Sequence, residues 1–544
     1  MIRPRTAAAA SFFLLPMVAG GFFLQQAPAR VTPRLFDQVL GIVSSRYVDS
    51  IAAPGIYEQA AKGLVRELND PYSELLAPRE TEEFNRSTGG RYGGVGMLLE
   101  EQRHSGGTSI VVSRIFPHTP AETGGVNEGD RIVRVDSLAT ANATIDNVSN
   151  ALRGIAGSSV RVTFQRPGVA APVTLSFRRA VVHVPAVPYS TIMGDRIGYI
   201  PLQTFNENAA EEVEAAASKL VEQGARGLVL DLRDNGGGIV EQALAVSSLF
   251  LRRDQEIVNV KARNAPDEVA RASSEQLRSQ PPLVIITDGG TASASEIVAG
   301  ALQDHDRALV LGTTSFGKGL VQSLFPLDRG YALKLTTGKW YTPNGRSIHR
   351  ERTLLADGRY VETRPDSLES DADMRARPMY LSDAGRTVYG GGGITPDVRV
   401  ADDTLLTSEQ LFLRAVAPKA QAFVTVLNEY ALELKPVASR NFIILPAWRA
   451  ELRRRLVAAG VAIAPAHEAA SALVLDRELD RRLSRLVLGD AGARSRSVAD
   501  DPQLARAVAL LNGARSQDAL FAAARALPGA SERAGVATPQ QPRP

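Results

Sequence analysis

The chain has 544 residues, 44% of them apolar and 22% charged, with 62 Lys and Arg against 59 Asp and Glu. That length fits three or four domains of roughly 150 residues, and a net charge of +3 is too balanced for a dedicated nucleic-acid binder. Cysteine is absent, which excludes disulfide scaffolds, zinc–thiolate sites and cysteine nucleophiles, and the six histidines form no recognisable metal motif.

Arg3 and Arg5 precede an apolar stretch from Ala7 to Leu24 and a small-residue run, Ala27-Pro28-Ala29, in the pattern of an export signal. The stretch is at the lower limit for crossing a bilayer, and Pro16, Gly20 and Gly21 weaken it as a helix. Residues 1–30 therefore read as a signal peptide or an N-terminal anchor. The mature protein is expected outside the cytoplasm, periplasmic or otherwise extracytoplasmic, tethered at most once to the inner membrane. Residues 31–88 read as a helical N-terminal region, amphipathic over 31–76, broken at Ala53-Pro54-Gly55 and closed by Asn69-Asp70-Pro71. From Tyr92 to Arg179 short β-rich runs (109–112, 131–135, 160–164, 173–177) alternate with glycine-rich turns, which predicts a small separate module.

Beyond Arg196 strands and helices alternate: strands over 197–202, 227–232, 283–287, 308–312 and 331–336, helices over 209–223, 239–251 and 293–303. Apolar strands in this rhythm imply an α/β sheet covered on both faces. Residues 356–377 are polar and read as a surface excursion. Residues 405–434 and 447–460 read as helices, with Trp448, Leu452 and Leu456 at helical spacing. From 527 onward the composition turns to Pro, Gly and Gln, the signature of a disordered end.

The chemistry concentrates after the strand at 283–287. There Gly289-Gly290 permits a sharp turn and a helix starts near Ser293. A serine at a helix N-terminus sits beside unpaired N–H groups and the positive end of the dipole, which suits a nucleophile whose attack creates an oxyanion. The plainer reading is that Thr291, Ser293 and Ser295 only cap the helix. His305, at the far end of that helix, would lie roughly 18 Å from Ser293, out of reach as a base. His104, His118, His183, His349 and His467 lie in no motif that suggests a triad. Lys318, between Gly317 and Gly319 with Phe316, Leu320 and Val321 nearby, suits partial burial, and a lysine acts as a base when burial lowers its pKa. The alternatives are a solvated turn or a phosphate loop, but Gly319 occupies the position where such a loop needs Ser or Thr. Gly236-Gly237-Gly238 follows the strand at 227–232 and could leave N–H groups free beside the serine.

Four stretches together resemble the C-terminal processing peptidases, the tail-specific serine proteases of the S41 class. They are Tyr92-Gly-Gly-Val-Gly96, Asp231-Leu-Arg-Asp-Asn-Gly-Gly-Gly238, Thr291-Ala-Ser-Ala-Ser-Glu-Ile297 and Ser315-Phe-Gly-Lys-Gly-Leu-Val-Gln322. Asn69-Asp-Pro-Tyr-Ser73, Tyr341-Thr-Pro-Asn-Gly-Arg346 and Gly391-Gly-Gly-Ile-Thr-Pro-Asp397 support them. The resemblance covers roughly 31–400. It implies a Ser–Lys dyad without histidine: Ser293 as nucleophile, Lys318 as base, Gln322 orienting the lysine, and the backbone of Gly237 and Ala294 as oxyanion donors. Asp304 matches an accessory acidic position. Gly236 and Asp234 stand where the family usually has proline and asparagine, which leaves the shape of the oxyanion loop open. Residues 92–179 resemble a PDZ domain whose carboxylate loop would be Tyr92, Gly93, Gly94, Val95 and Gly96, with Thr119-Pro-Ala121 and Gly129-Asp130 matching a further PDZ segment.

The expected architecture is multi-domain α+β. Its parts are a helical N-terminal segment, a PDZ domain (89–182), an α/β, crotonase- and ClpP-like S41 protease core (183–400), a helical C-terminal extension (401–526) and a disordered tail (527–544). The expected activity is cleavage of unfolded proteins or exposed C-termini docked on the PDZ domain, without metal, cofactor or nucleic acid. Two other readings stay open, an inert PDZ scaffold that only binds tails and a histidine-assisted esterase. The extension could cap the protease, mediate homo-oligomers or bind a regulator, and the sequence does not choose.

Overall fold

The computed structural model describes residues 32–49, 53–104, 107–141, 143–166, 169–273, 276–354, 360–362, 374, 376–401, 406–461 and 468–527. The expected signal at 1–30 and all but the first residue of the expected tail lie outside these, as does most of the 356–377 excursion. No helix among the described residues is long and apolar enough to cross a membrane. The chain divides into two compact units, 1–68 and 69–544.

The first unit contains α1 (Thr32–Arg46) and α2 (Ala53–Arg66). The expected break at Ala53-Pro54-Gly55 is displaced: these residues open α2. A proline in a helix's first turn lacks an N–H that has no intrahelical partner there.

The second unit opens on a turn in which Asp70 accepts the N–H of Tyr72 (3.1 Å) and the hydroxyl of Ser73 (2.5 Å). It leads into β1 (Glu74–Leu76), not the helix expected through residue 76, and then α3 (Pro78–Gly89). The small β-rich module follows: β2 (Arg91–Gly94), β3 (Met97–His104), β4 (Gly107–Ile115), β5 (Arg131–Val135), α4 (Ile145–Leu152), β6 (Ser159–Gln165), β7 (Val173–Arg178) and β8 (Ala180–His183). Strands β3-β4-β5-β6-β7 form one antiparallel sheet with β3 at its edge, and β2 pairs with β8. Alternate residues of this sheet (Ile110, Val112, Ile132, Val160, Val162, Phe164) pack with Val148 and Leu152 of α4 into one core.

The core chain then runs β9 (Thr191–Met193), β10 (Ile197–Pro201), α5 (Ala209–Glu222), β11 (Gly227–Asp231), α6 (Val240–Phe250), β12 (Glu256–Ala262) and β13 (Leu283–Thr287). It continues through α7 (Ala294–Asp304), β14 (Leu309–Gly312), β15 (Leu320–Pro326), β16 (Ala332–Tyr341) and β17 (Val398–Arg399). The main sheet has the order β9-β10-β11-β13-β14-β17, parallel except for β9. A second, antiparallel sheet brings β1, β16 and β12 side by side, with β15 also on β16.

The C-terminal extension forms α8 (Thr407–Val416), α9 (Ala420–Leu434), α10 (Pro446–Ala458), α11 (Glu468–Arg496), α12 (Pro502–Gly513) and α13 (Gln517–Arg525). Strand alternation divides the main sheet cleanly. Ile200, Leu228, Leu230, Ile285 and Val310 face α5, α6 and α7. Ile197, Tyr199, Val229, Val284, Ile286 and Leu311 face Leu504, Val508, Leu511, Leu520 and Phe521 of α12 and α13. All three crossover helices thus lie on one face, and the extension covers the other. Covering the main sheet is thus one role that the fold displays for the extension. α8 to α11 close around their own core of Phe412, Leu427, Leu452, Leu456, Leu479 and Leu483. They also meet the small β-rich module, where Leu432 fills the space above Gly129 and Arg114 pairs with Asp490 at 3.1 Å.

Leu511 is 2% exposed and lies against Gly227, where a Cβ would come within 2.9 Å of it. Leu511→Ala is therefore expected to cost about 2–5 kcal/mol, as cavity-forming core truncations do, read as a lower denaturation midpoint in urea. An unchanged midpoint would show that α12 is not an integral part of the core.

Candidate active site

β13 ends at Thr287, and the chain turns through Asp288 before α7 begins at Ala294. Asp288 Oδ1 accepts the N–H groups of Gly290 and Thr291, and also that of Asp234 from the turn after β11, each at 3.0 Å. Thr291 Oγ1 donates to Leu232 O at 2.8 Å, Ser295 Oγ donates to Asn235 O at 2.9 Å, and Ala292 N–H donates to the same carbonyl at 3.0 Å. The two turns are thereby laced together, and Thr291 and Ser295 are occupied in joining them.

Ser293 differs from both. Its backbone has φ 57° and ψ −114°, an unfavourable conformation for a non-glycine residue. Its hydroxyl makes no capping bond, so the plain capping role does not describe it. Capping runs the other way: Glu296 Oε2 accepts the N–H of Ser293 at 2.8 Å.

Glu296 is fully buried and every partner it has is a donor. Besides Ser293 it takes the Ser315 hydroxyl (2.5 Å), Gly317 N–H (2.7 Å) and Lys318 N–H (2.9 Å). Burial drives its pKa up, the four donors pull it back, and the net direction is upward. One carboxylate thus ties the serine turn to the lysine loop. The backbone nitrogens of Ser293 and Lys318 both bond the same oxygen, so they stand no further apart than those two bonds end to end. Phe316 N–H to Thr291 O, at 2.9 Å, adds a second tie.

Lys318 is half-buried and makes no ion pair among the described residues. Its Nζ donates to Gln322 Oε1 at 2.9 Å and lies 5.0 Å from the centroid of the Tyr72 ring. Gln322 Nε2 donates in turn to Tyr72 O at 2.5 Å, which fixes which end of the amide faces the lysine. Tyr72 is held from above by Arg352, whose guanidinium donates to its hydroxyl. Burial, then the neighbouring Lys334 ammonium, lowers the Lys318 pKa. No hydrogen bond joins Lys318 Nζ to Ser293 Oγ in this arrangement.

Gly237 packs directly on the serine turn: a Cβ there would lie 2.8 Å from Ala292 O and 2.9 Å from both Ala294 N and Ser293 Cβ, and its φ of 98° is itself a glycine conformation. Its N–H donates to Asn235 Oδ1 at 3.0 Å. Ala294 N–H, at the start of α7, has no acceptor among the described residues. Of the two expected oxyanion donors, the structure leaves Ala294 open and engages Gly237.

Asp304 does not join the site. It ends α7, about 15 Å along the helix from Ala294, in a buried ion pair with Arg346 at 2.6 Å. His305 is also remote, its two ring nitrogens bonded to Asp383 Oδ2 and Glu256 O, each at 2.7 Å. In the PDZ domain, Val95 and Gly96 are buried and no acceptor among the described residues takes their N–H groups, while Phe116 and Ala121 bond their carbonyls. Tyr92, Gly93 and Gly94 form β2, and Gly93 O accepts Gly154 N–H at the end of α4. Two backbone donors are thus left free beside the open edge of β3.

Glu296 and Tyr72 escaped the sequence reading, although both lie in stretches it singled out. The spacing from Ser293 to Glu296 is that of a capping box, the one local signal available for either.

The PDZ domain model matches residues 85–165 and the peptidase family S41 model residues 196–355. These matches and the fold define a serine-type peptidase that carries a PDZ domain. The chain is 33% identical over 435 residues to the carboxy-terminal processing protease CtpA of Bacillus subtilis, covering 78% of this chain and 87% of the relative. It is 38% identical over 318 residues to the carboxy-terminal-processing protease of Bartonella bacilliformis, covering 58% and 71%. Among solved structures, the photosystem II D1 C-terminal processing protease matches 67% of this chain and 86% of its own length at 28% identity, with a TM-score of 0.36. The chain belongs to the carboxy-terminal processing proteases of peptidase family S41.

Proposed function

We propose that the protein is an exported endopeptidase that docks protein C-termini on its PDZ domain and cleaves the chain upstream with a Ser293–Lys318 dyad. The observation that carries this reading is a half-buried lysine with no ion pair among the described residues, on a loop bonded to the same carboxylate as the serine turn. Ser293 Oγ attacks the scissile carbonyl as its proton passes to neutral Lys318. The new oxyanion meets Ala294 N–H, and Gly237 N–H once it is released from Asn235. The C–N bond then breaks as Lys318 returns the proton to the leaving amine. Water, deprotonated by the same lysine, hydrolyses the ester and restores Ser293. Gln322 keeps Nζ in place, and Tyr72 keeps Gln322 in place. Export rests on the pattern of residues 1–30, and the domain limits of 89–182 and 183–400 remain the proposed ones.

The test is incubation with an unfolded protein ending in apolar residues, followed by intact mass. Wild type yields truncated products and Ser293→Ala none. Tail binding without turnover by wild type would select the inert scaffold instead.

The dyad also fixes a pH dependence. Lysine acts only when deprotonated, so kcat/KM climbs as pH rises through the pKa of Lys318, and burial places that acid limb below the ordinary lysine range. Gln322→Glu puts a carboxylate against Nζ, favours the ammonium and moves the limb upward by about 1–3 pH units. A limb that stays in place would remove Lys318 from the role of base.

A further inference from the structure

The turn that carries Gly237 is held from two sides. On the core side Asp288 takes Asp234 N–H at 3.0 Å, Asn235 donates to Leu202 O at 2.7 Å and accepts from Ala292 N–H and the Ser295 hydroxyl, and Gly237 O accepts Phe205 N–H at 3.1 Å. On the other side is Arg233, and its partners come partly from the far end of the chain.

Arg233 forks onto Asp231, with Nε to Oδ1 at 2.9 Å and a terminal nitrogen to Oδ2 at 2.6 Å. The other side of the same guanidinium meets Asp501 at 3.1 and 2.9 Å and Gln503 Oε1 at 3.1 Å. Arg494, near the end of α11, closes the ring, reaching Asp501 at 2.9 Å, Asp231 at 3.3 Å and the Tyr199 hydroxyl at 3.2 Å. That hydroxyl donates back to Asp231 Oδ2 at 2.7 Å. Two carboxylates and two guanidiniums, none more than 23% exposed, therefore balance one another. Removing one carboxylate from such a group leaves a cation short of its partner in a poorly solvated place. The backbone that must then shift to satisfy it leads, four residues later, to Gly237. Arg494 and Asp501 lie well outside the segment that matches the peptidase family, residues 196–355.

We propose that Arg494 and Asp501 are positioning residues of the peptidase: through Arg233 they set the turn 234–238 that faces Ser293, so the C-terminal extension is part of the catalytic unit. This rests on the reading of Ser293 as nucleophile. The two residues touch no reacting atom. They act on kcat, through the placement of the wall against which the oxyanion forms.

Asp501→Asn is the decisive variant. Asp501 caps α12 by accepting Leu504 N–H at 2.9 Å, and asparagine caps equally well, so the substitution removes charge and spares the helix. The expected result is a kcat about tenfold to a hundredfold lower with KM changed less than about twofold. The rate at which a fluorophosphonate labels the serine should fall in parallel, with binding of a tail peptide unchanged. Arg494→Gln should do the same, and serves if Asp501→Asn does not fold. Ser293→Ala is run beside them. If it abolishes labelling while both variants keep wild-type kcat, or lose only melting temperature, this inference fails and the dyad stands. If Ser293→Ala is still labelled and active, the dyad fails and the inference falls with it.

Discussion

Ser293→Ala and Lys318→Ala should each leave a folded protein that cleaves peptide at least about ten-thousandfold more slowly, and the double substitution should be no slower than either alone. The non-additivity is the informative part. Nucleophile and base act in one proton transfer, so once either is gone the other has nothing to do. Neither change should disturb the fold. Ser293 makes no side-chain capping bond, and among the described residues the Lys318 ammonium donates only to Gln322. Single-turnover cleavage followed by mass spectrometry, with circular dichroism as the control, checks both points. Lys318→Ala with wild-type turnover would return the choice of base to a histidine. His349 would then be the residue to replace, because its backbone and Cβ lie against Gly319 and burial lowers its pKa.

Glu296→Ala carries the second large effect, and here fold and activity fail together. The carboxylate satisfies three backbone N–H groups and one hydroxyl in a fully buried place. Each buried donor left without an acceptor costs about 1–3 kcal/mol, so the loss should reach several kcal/mol even after partial rearrangement. Glu296→Gln keeps the volume but presents an NH2 group where only acceptors fit, so part of the cluster must break. It should retain more stability than alanine and still lose most of kcat, because the serine turn and the lysine loop are no longer held to one oxygen. Denaturation midpoints paired with kcat separate the two substitutions. A Glu296→Gln enzyme with wild-type kcat would show that the bridge stabilises without positioning.

Much of this architecture was legible in the sequence because its signals are local. The strands 131–135 and 283–287 are bounded as expected, and the turn before Ser293 is written in Gly289-Gly290. What escaped depends on partners far along the chain. Glu74-Leu75-Leu76 is too short to show a period, and only pairing with Lys334-Leu333-Ala332 makes it a strand. The strands of the main sheet are apolar on both faces and so announce that both are covered, but nothing in them says that Leu504 to Phe521 provide the second cover. Arg233 and Asp501 are 268 positions apart, and no spacing rule joins them. Gly237 packs on the serine turn, yet its N–H bond to Asn235 depends on the conformation of one side chain, which composition cannot reveal.

The central claim is that Lys318 serves as an uncharged base. The chain has eight lysines, few enough to follow each side-chain nitrogen by NMR after 15N labelling, with Lys318 assigned by its disappearance in Lys318→Ala. The account predicts that Lys318 titrates below the ordinary lysine range, in step with the acid limb of kcat/KM. An Nζ that remains protonated across the range in which the enzyme works would contradict it.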